Sequence, residues 1–303
     1  MKHNIAISVG DLNGVGIEIA IKAHTEISKL CNPIYCINKY MLNQALKLLK
    51  IDMPDNLKIS FVDGEFDIKA GELSINSGNY SFDSFMNGVM LCKNKKADAI
   101  VTMPINKEAW MMAGLKYKGH TDALRKHFNK DAIMMLGCEK MYVALYTEHT
   151  ALKDVPPLIK EDKLLSFFIN LNKSLPCEKI AVLGLNPHAG DNGVLGDEEI
   201  EITNAIKNAN EKIGFEQFLG PLVPDVAFTP HARQKHTYYV AMYHDQGLIP
   251  LKALYFDESV NISLNLPIIR TSVDHGTAFN IAYKGEANAL SYINAIKSAI
   301  SLM

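Results

Sequence analysis

The sequence predicts an α/β fold built on a largely parallel sheet. Short β-branched runs alternate with longer segments of helical periodicity along most of the chain, and that alternation lays helices over the faces of parallel strands. The 303 residues, 48% apolar and 21% charged, can bury a sizeable core as one large domain or two moderate ones. No linker rich in Pro, Gly or Ser divides the chain, so two lobes would require it to cross between them more than once.

The elements follow in order. Asn4–Val9 reads as a buried strand that runs into the turn Gly10-Asp11-Leu12-Asn13-Gly14-Val15-Gly16, and an amphipathic helix of about 12 residues starts at Ile17. Ile34–Ile37 is a second strand, Lys39–Lys50 a helix and Leu57–Val62 a third strand. Phe82, Phe85, Val89, Met90 and Cys92 mark a helix over Phe82–Lys96. Asp98–Thr102 is a strand leading to Pro104, which suits a first helical turn. Ala132–Leu136 and Met141–Tyr146 read as hairpin strands. Leu164–Leu171 is helical, Lys179–Leu185 a strand, Asp197–Lys212 a charged helix, Tyr238–Met242 a strand and Ala287–Leu302 the last helix.

Lys plus Arg number 31 and Asp plus Glu 33, so the net charge is 31 − 33 = −2. That argues against a general affinity for nucleic acid or an anionic membrane. No apolar run approaches the ~18 residues of a membrane span. The apolar run Ile5 to Val9 is too short for a secretory signal, so a cytoplasmic protein is expected. Cys31, Cys36, Cys92, Cys138 and Cys177 form no CxxC and read as free thiols. The three arginines are Arg125, Arg233 and Arg270. Lysine is the default cation, so an arginine here marks a place where a planar, forked anion contact is wanted.

His149, His188 and His244 each fall just past the C-terminal end of a predicted strand, the edge where parallel sheets bind ligands. Three imidazoles there suit a divalent metal, and three unrelated loop histidines are the alternative. His3, His24, His127 and His236 read as solvated. The first turn fits neither GxGxxG nor a P-loop. It is either a tight turn with a helix cap or a backbone approach to a ligand. Lys252, Asn261 and Arg270 would clamp a phosphate if they converge, and would otherwise be surface polar residues. His120-Thr121 opens a helix, where anions are also held.

Taken together, the strings GDLNGVGIE (10–18), TMPINKEA (102–109), GHTD (119–122), LNPHAG (185–190), AMYHDQGLIPLK (241–252) and VNISLNLPIIRTSVDHGTAF (260–279), with the run Gly196-Asp197-Glu198-Glu199, resemble the 4-hydroxythreonine-4-phosphate dehydrogenase (PdxA) family of pyridoxal phosphate biosynthesis. Leu12 stands for the family's usual Pro, Lys118 for a Thr, Asp122 for Glu and Asn280 for Asp. The resemblance implies the fold of isocitrate and isopropylmalate dehydrogenases, not a Rossmann fold. Two α/β lobes would flank the active site: an outer lobe of 1–119 plus 272–303, and a central lobe of 120–271 with the dimer interface. It implies His149, His188 and His244 as ligands of one divalent ion (Zn, Mg, Co or Mn), the third coming from the other subunit of a homodimer. It implies Lys252, Asn261 and Arg270 on the substrate phosphate and His120 and Thr121 on its amino-acid end. His275, Gly276, Thr277 and Ala278, with Asn288, would lie by the adenosine of NAD or NADP.

The implied reaction oxidises the 3-hydroxyl of 4-phosphohydroxy-L-threonine to 2-amino-3-oxo-4-phosphooxybutanoate, which decarboxylates to 3-amino-2-oxopropyl phosphate. Asp245, Lys107 and Asp225 are candidates for the base. One rival is a sister dehydrogenase acting on a four-carbon sugar-acid phosphate. A second is an acyl-phosphate transferase, which would need neither metal nor nicotinamide, and a third is a non-catalytic binding protein.

Overall fold

The computed structural model describes residues 2–175 and 179–303, so Cys177 lies outside the described residues. In chain order it begins with β1 (Asn4–Ser8), α1 (Gly16–Lys22), α2 (His24–Leu30), β2 (Asn32–Cys36), α3 (Lys39–Leu49), β3 (Lys58–Ser60), α4 (Ile75–Lys93), β4 (Ala99–Thr102), α5 (Lys107–Met112) and α6 (His120–Phe128). The hairpin β5 (Ile133–Cys138) and β6 (Met141–Leu145) follows, then α7 (Glu161–Ser174), β7 (Ile180–Leu183), α8 (Glu198–Ile213), β8 (Phe218–Leu222), α9 (Pro230–Arg233), β9 (Tyr238–Ala241) and α10 (His244–Tyr255). The chain ends with β10 (Val260–Leu264), β11 (Ile269–Val273) and α11 (Leu290–Ser301). Among the described residues no helix is long and apolar enough to cross a membrane.

These elements form two compact units, Met1–Lys130 with Val260–Met303, and Asp131–Ser259. The lobe bounds read from the sequence, 119/120 and 271/272, therefore shift. Helix α6 and the β10–β11 pair belong with the first unit because β11 pairs along β4 and His120 of α6 bonds to Arg270 of β11.

The first unit's strands run β3-β2-β1-β4-β11-β10. All neighbouring pairs in that stretch are parallel except β10 with β11. Ile5, Ala6 and Ile7 of β1 and Ala99, Ile100 and Val101 of β4 are fully buried, as expected of strands covered on both faces. The helix expected from Ile17 is two helices, α1 and α2, broken at Ala23. His24 at that break is not solvated. It is buried, with Nδ1 2.9 Å from the Tyr35 hydroxyl and Nε2 3.1 Å from the Asp55 carbonyl. Helix α4 starts seven residues earlier than its apolar periodicity suggests, at Ile75, where Ser74 caps it. Its first turns bury serines, Ser77 and Ser81, in place of large apolar side chains.

The second unit's strands run β5-β6-β9-β7-β8. β5 and β6 form the expected antiparallel hairpin, and β6, β9, β7 and β8 are mutually parallel. Val143, Leu145, Ala181, Leu183, Tyr239, Ala241, Leu248 and Leu251 build the core under them. β8 gives no sequence signal because Gly220 and Pro221 interrupt it. Such a strand is tolerated at a sheet edge, where β8 lies. The four described cysteines are buried free thiols.

Candidate active site

The parallel run β6-β9-β7 fixes the places of the three histidines. Their C-terminal ends lie side by side, and His149, His244 and His188 follow Leu145, Ala241 and Leu183 after four, three and five residues. His149 and His188 are exposed and His244 is half-buried. The rings of His149 and His244 have centroids 5.7 Å apart. An imidazole nitrogen binds a divalent ion at about 2 Å, so two rings on one ion have centroids about 5–6 Å apart. The pair fits one ion. His244 Nδ1 lies 2.7 Å from Asp245 Oδ1, so Nδ1–H donates to the carboxylate and the Nε2 lone pair faces outward for a metal.

His188 comes from a loop with an unusual backbone. Residues 188–192 have φ of 54, 52, 78, 45 and 54°, and only Gly190 is a glycine. Such a run is held only where its surroundings over-determine it. Glu199, buried at the start of α8, does so: Oε1 accepts from the Leu185 and Asn186 amides at 2.8 Å each, and Oε2 from Asn186 Nδ2 at 2.9 Å. Among the described residues of one chain, no three His, Cys, Asp or Glu side chains gather closely enough for a metal ion. The fold thus pairs His149 with His244 and does not add His188 to them within a single chain.

In the first unit the site is built on strand register. Ser263 on β10 lies directly opposite Arg270 on β11, and Arg270 lies opposite Ile100 on β4. Side chains two residues apart share a face, which puts Asn261, Ser263, Arg270 and Thr102 together. Arg270, 3% exposed, spends all its donors on protein acceptors. Nε and Nη2 reach Thr102 Oγ1 at 3.2 and 2.8 Å, Nη1 reaches Ser263 Oγ at 3.0 Å and Asn261 Oδ1 at 3.4 Å, and Nη2 also lies 3.2 Å from His120 Nδ1. Burial lowers the Arg270 pKa to about 9, which leaves the guanidinium charged at neutral pH. Burial, the Arg270 charge and the Lys107 charge hold the His120 imidazole well below its usual pKa, so it is neutral. Phe85 and Trp110 flank His120 edge-on at 4.7 and 5.5 Å between centroids. Thr121, also buried, lies 3.5 Å from Ser263 through their hydroxyls. Lys252 sits half-buried in the last turn of α10, with Nζ 5.7 Å from the centroid of the Phe256 ring.

The glycine-rich first turn serves packing within its own unit. Gly10 has φ +68°, and a side chain there would strike the Pro104 carbonyl, which accepts the Asp11 amide at 2.9 Å. A Cβ on Gly14 would come within 2.8 Å of the Thr277 carbonyl, which accepts the Val15 amide at 3.0 Å. The turn therefore docks on the segment His275-Gly276-Thr277-Ala278. Asp11 is buried, accepts from the Ser77 hydroxyl and the Asn13 amide, and has its carboxyl pKa raised by burial. Asn288 Oδ1 accepts the Leu290 amide at 2.9 Å at the start of α11. Asp245 is exposed beside His244, Asp225 is exposed in the loop after β8, and Lys107 is exposed at the start of α5, its Cε 3.7 Å from where a Cβ on Gly119 would lie.

Thr102 and Ser263 were not legible as site residues, since a lone hydroxyl in a strand is ordinary β composition. The alternation Asn261, Ser263 in one strand and Arg270, Ser272 in the next is the signal that finds Ser263, and nothing in the sequence points to Thr102.

A family model described as pyridoxal phosphate biosynthetic protein PdxA matches residues 29–299. A 4-hydroxythreonine-4-phosphate dehydrogenase of Sulfurimonas denitrificans is 70% identical over 301 residues, covering 99% of this chain and 98% of the relative. One of Campylobacter fetus subsp. fetus is 58% identical over 299 residues, covering 98% and 97%. The crystal structure of a 4-hydroxythreonine-4-phosphate dehydrogenase from Klebsiella pneumoniae superposes with a TM-score of 0.86 at 33% identity, covering all of this chain and 98% of that one.

Proposed function

Because the chain belongs to the pyridoxal phosphate biosynthetic PdxA family, we propose that it oxidises 4-phosphohydroxy-L-threonine at its 3-hydroxyl and passes the hydride to a nicotinamide, NAD or NADP. The product, 2-amino-3-oxo-4-phosphooxybutanoate, then decarboxylates to 3-amino-2-oxopropyl phosphate. The observation that carries the reading is the set of three histidines beyond three adjacent parallel strands, two of them spaced for one ion.

His149, His188 and His244 would hold a divalent ion, the trio being completed between two copies of the chain, and that ion's chemistry is to polarise the substrate hydroxyl. Asp245 keeps the proton of His244 on Nδ1 and so frees Nε2. Arg270 gives the substrate phosphate a fixed positive charge, with Asn261 and Lys252 beside it in role. Remote binding of that kind orients the reacting carbon. His120 and Thr121 take the amino-acid end. The His275–Ala278 segment and Asn288 are the proposed nicotinamide-cofactor contacts. Of the base candidates, Asp245 is already committed to His244. Lys107, next to the first turn of α6, and Asp225 are the other two.

The test follows reduced nicotinamide by absorbance, with 4-phosphohydroxy-L-threonine and each of NAD and NADP, after chelation and after adding back Zn, Mg, Co or Mn. Turnover that chelation abolishes and metal restores is expected. Turnover with a four-carbon sugar-acid phosphate alone would move the chain to a sister activity. Silence with both would overturn the dehydrogenase reading.

A further inference from the structure

We infer that Thr102 is a positioning residue: through Arg270 it holds His120 as the Nε2–H tautomer, and this commits His120 to an oxygen acceptor of the substrate. The inference rests on His120 contacting substrate and deepens that reading.

The argument starts from donors and acceptors. A guanidinium has five N–H donors and no acceptor. Arg270 Nη2 lies 3.2 Å from His120 Nδ1, so Nδ1 is the acceptor and carries no proton. A neutral imidazole then keeps its one proton on Nε2. The charged groups that face the ring are Arg270 from β11 and Lys107 from α5, both cationic, and the ring sits in the first turn of α6. A helix N-terminus also disfavours an imidazolium. Nε2 is buried and has no hydrogen-bond partner among the described residues. The cluster therefore presents one buried N–H donor whose acceptor must come from outside.

Thr102 makes this arrangement rigid. Its Oγ1 accepts from both Nε and Nη2 of Arg270. The fork that would otherwise close on an anion is closed on a single threonine hydroxyl. That fixes the plane of the guanidinium, and with it the Nη2 proton aimed at Nδ1. The amino-acid end of the substrate offers an ammonium, which only donates, and carboxylate and hydroxyl oxygens, which accept. An Nε2–H donor selects an oxygen. The other tautomer would turn an acceptor nitrogen to the ligand and admit the ammonium.

The experiment is proton–nitrogen NMR of the full chain labelled at histidine, with the His120 signals assigned by their loss in His120→Gln. The expected result is a single Nε2–H tautomer that does not titrate between about pH 5.5 and 8.5. Its proton should shift when 4-phosphohydroxy-L-threonine is added without nicotinamide. Thr102→Val should mix the tautomers or let His120 titrate near its ordinary 6.5, and should raise KM about tenfold, the size of one lost hydrogen bond, with a smaller effect on kcat. Thr102→Ser should restore both. A wild-type His120 protonated on Nδ1, or titrating in that range, overturns the inference. So does a Thr102→Val variant that changes KM and leaves the His120 tautomer intact. If Thr102→Val does not fold, the wild-type and Thr102→Ser spectra still decide. Failure of the proposed reaction would appear as absent turnover, while the ligand-free tautomer would report on Thr102 independently.

Discussion

The Arg270–His120 cluster of the first unit and the histidine edge of the second both rest on imidazoles, yet they are built in opposite ways. Arg270 and His120 are buried, and every guanidinium donor already has a protein acceptor. A buried polar group left unpaired costs roughly 1–3 kcal/mol, so the buried guanidinium must be paired by the fold itself, and His120 Nε2 is left for a ligand. His149 and His188 are exposed, so the fold can leave these rings at the surface for a metal or another copy of the chain. Folding pairs the charged group of the first region and leaves one imidazole N–H for a ligand, whereas the second region is assembled by binding. Substitutions in the first should therefore cost stability and activity together, and substitutions in the second activity alone.

The largest expected effect tests the second half of that contrast. His149→Ala or His244→Ala should lose tightly held divalent metal and reduce turnover on the order of 10³-fold, as expected when a several-kcal/mol Lewis-acid contribution disappears. Against metal-stripped wild type, the unfolding temperature should move by no more than about 2 °C, since the lost side chains are not core groups. Metal content after dialysis and a thermal scan measure the two sides. Mixing His149→Ala with His188→Ala, with subunit exchange verified, should restore part of the turnover if His188 is supplied by the other copy. A variant that keeps its metal would remove that histidine from the centre. Arg270→Lys is the counterpart in the first unit. It keeps the charge but strips the planar donors from Thr102, Ser263, Asn261 and His120. The expected cost is about 2–4 kcal/mol of stability, read from urea unfolding, with roughly a 10²-fold loss in kcat/KM. Unchanged stability would break the comparison.

The same contrast explains what the sequence made legible. The buried strands β1, β4, β6, β7 and β9 announce themselves because strands covered on both faces must be continuously apolar. The three histidines follow, because a residue just past such a strand has its position set by the strand. β10 and β11 are different. Their polar positions Asn261, Ser263, Arg270 and Ser272 are where the site is, so what makes them functional also hides them as strands. Asn288 entered only through resemblance, and its side chain accepts the Leu290 amide at the start of α11. No pattern in the chain could announce the Thr102–Arg270–His120 arrangement, because it joins residues 168 and 150 positions apart in sequence.

The smallest effect is the most direct measure of the contact that folding completes. His120 is held neutral in the folded chain, its pKa lowered first by burial and then by the charges of Arg270 and Lys107. Once unfolded it recovers its ordinary value of 6.5. Between the folded and unfolded pKa values the unfolded chain binds one more proton, so stability rises with pH in that window and falls as pH drops below about 6.5. The slope from one histidine is at most about 1.4 kcal/mol per pH unit. His120→Gln should lack that share, so the stability difference between wild type and variant should narrow as the pH is taken from about 7.5 to 5.5. Asp11, whose pKa burial raises, and His236, whose pKa burial lowers, contribute equally to both proteins and cancel in the difference. Urea midpoints across that range measure it. A difference that stays constant with pH would mean that His120 takes its proton while folded. Arg270 could then no longer be donating to Nδ1, and the Arg270–His120 contact would not be one that folding completes.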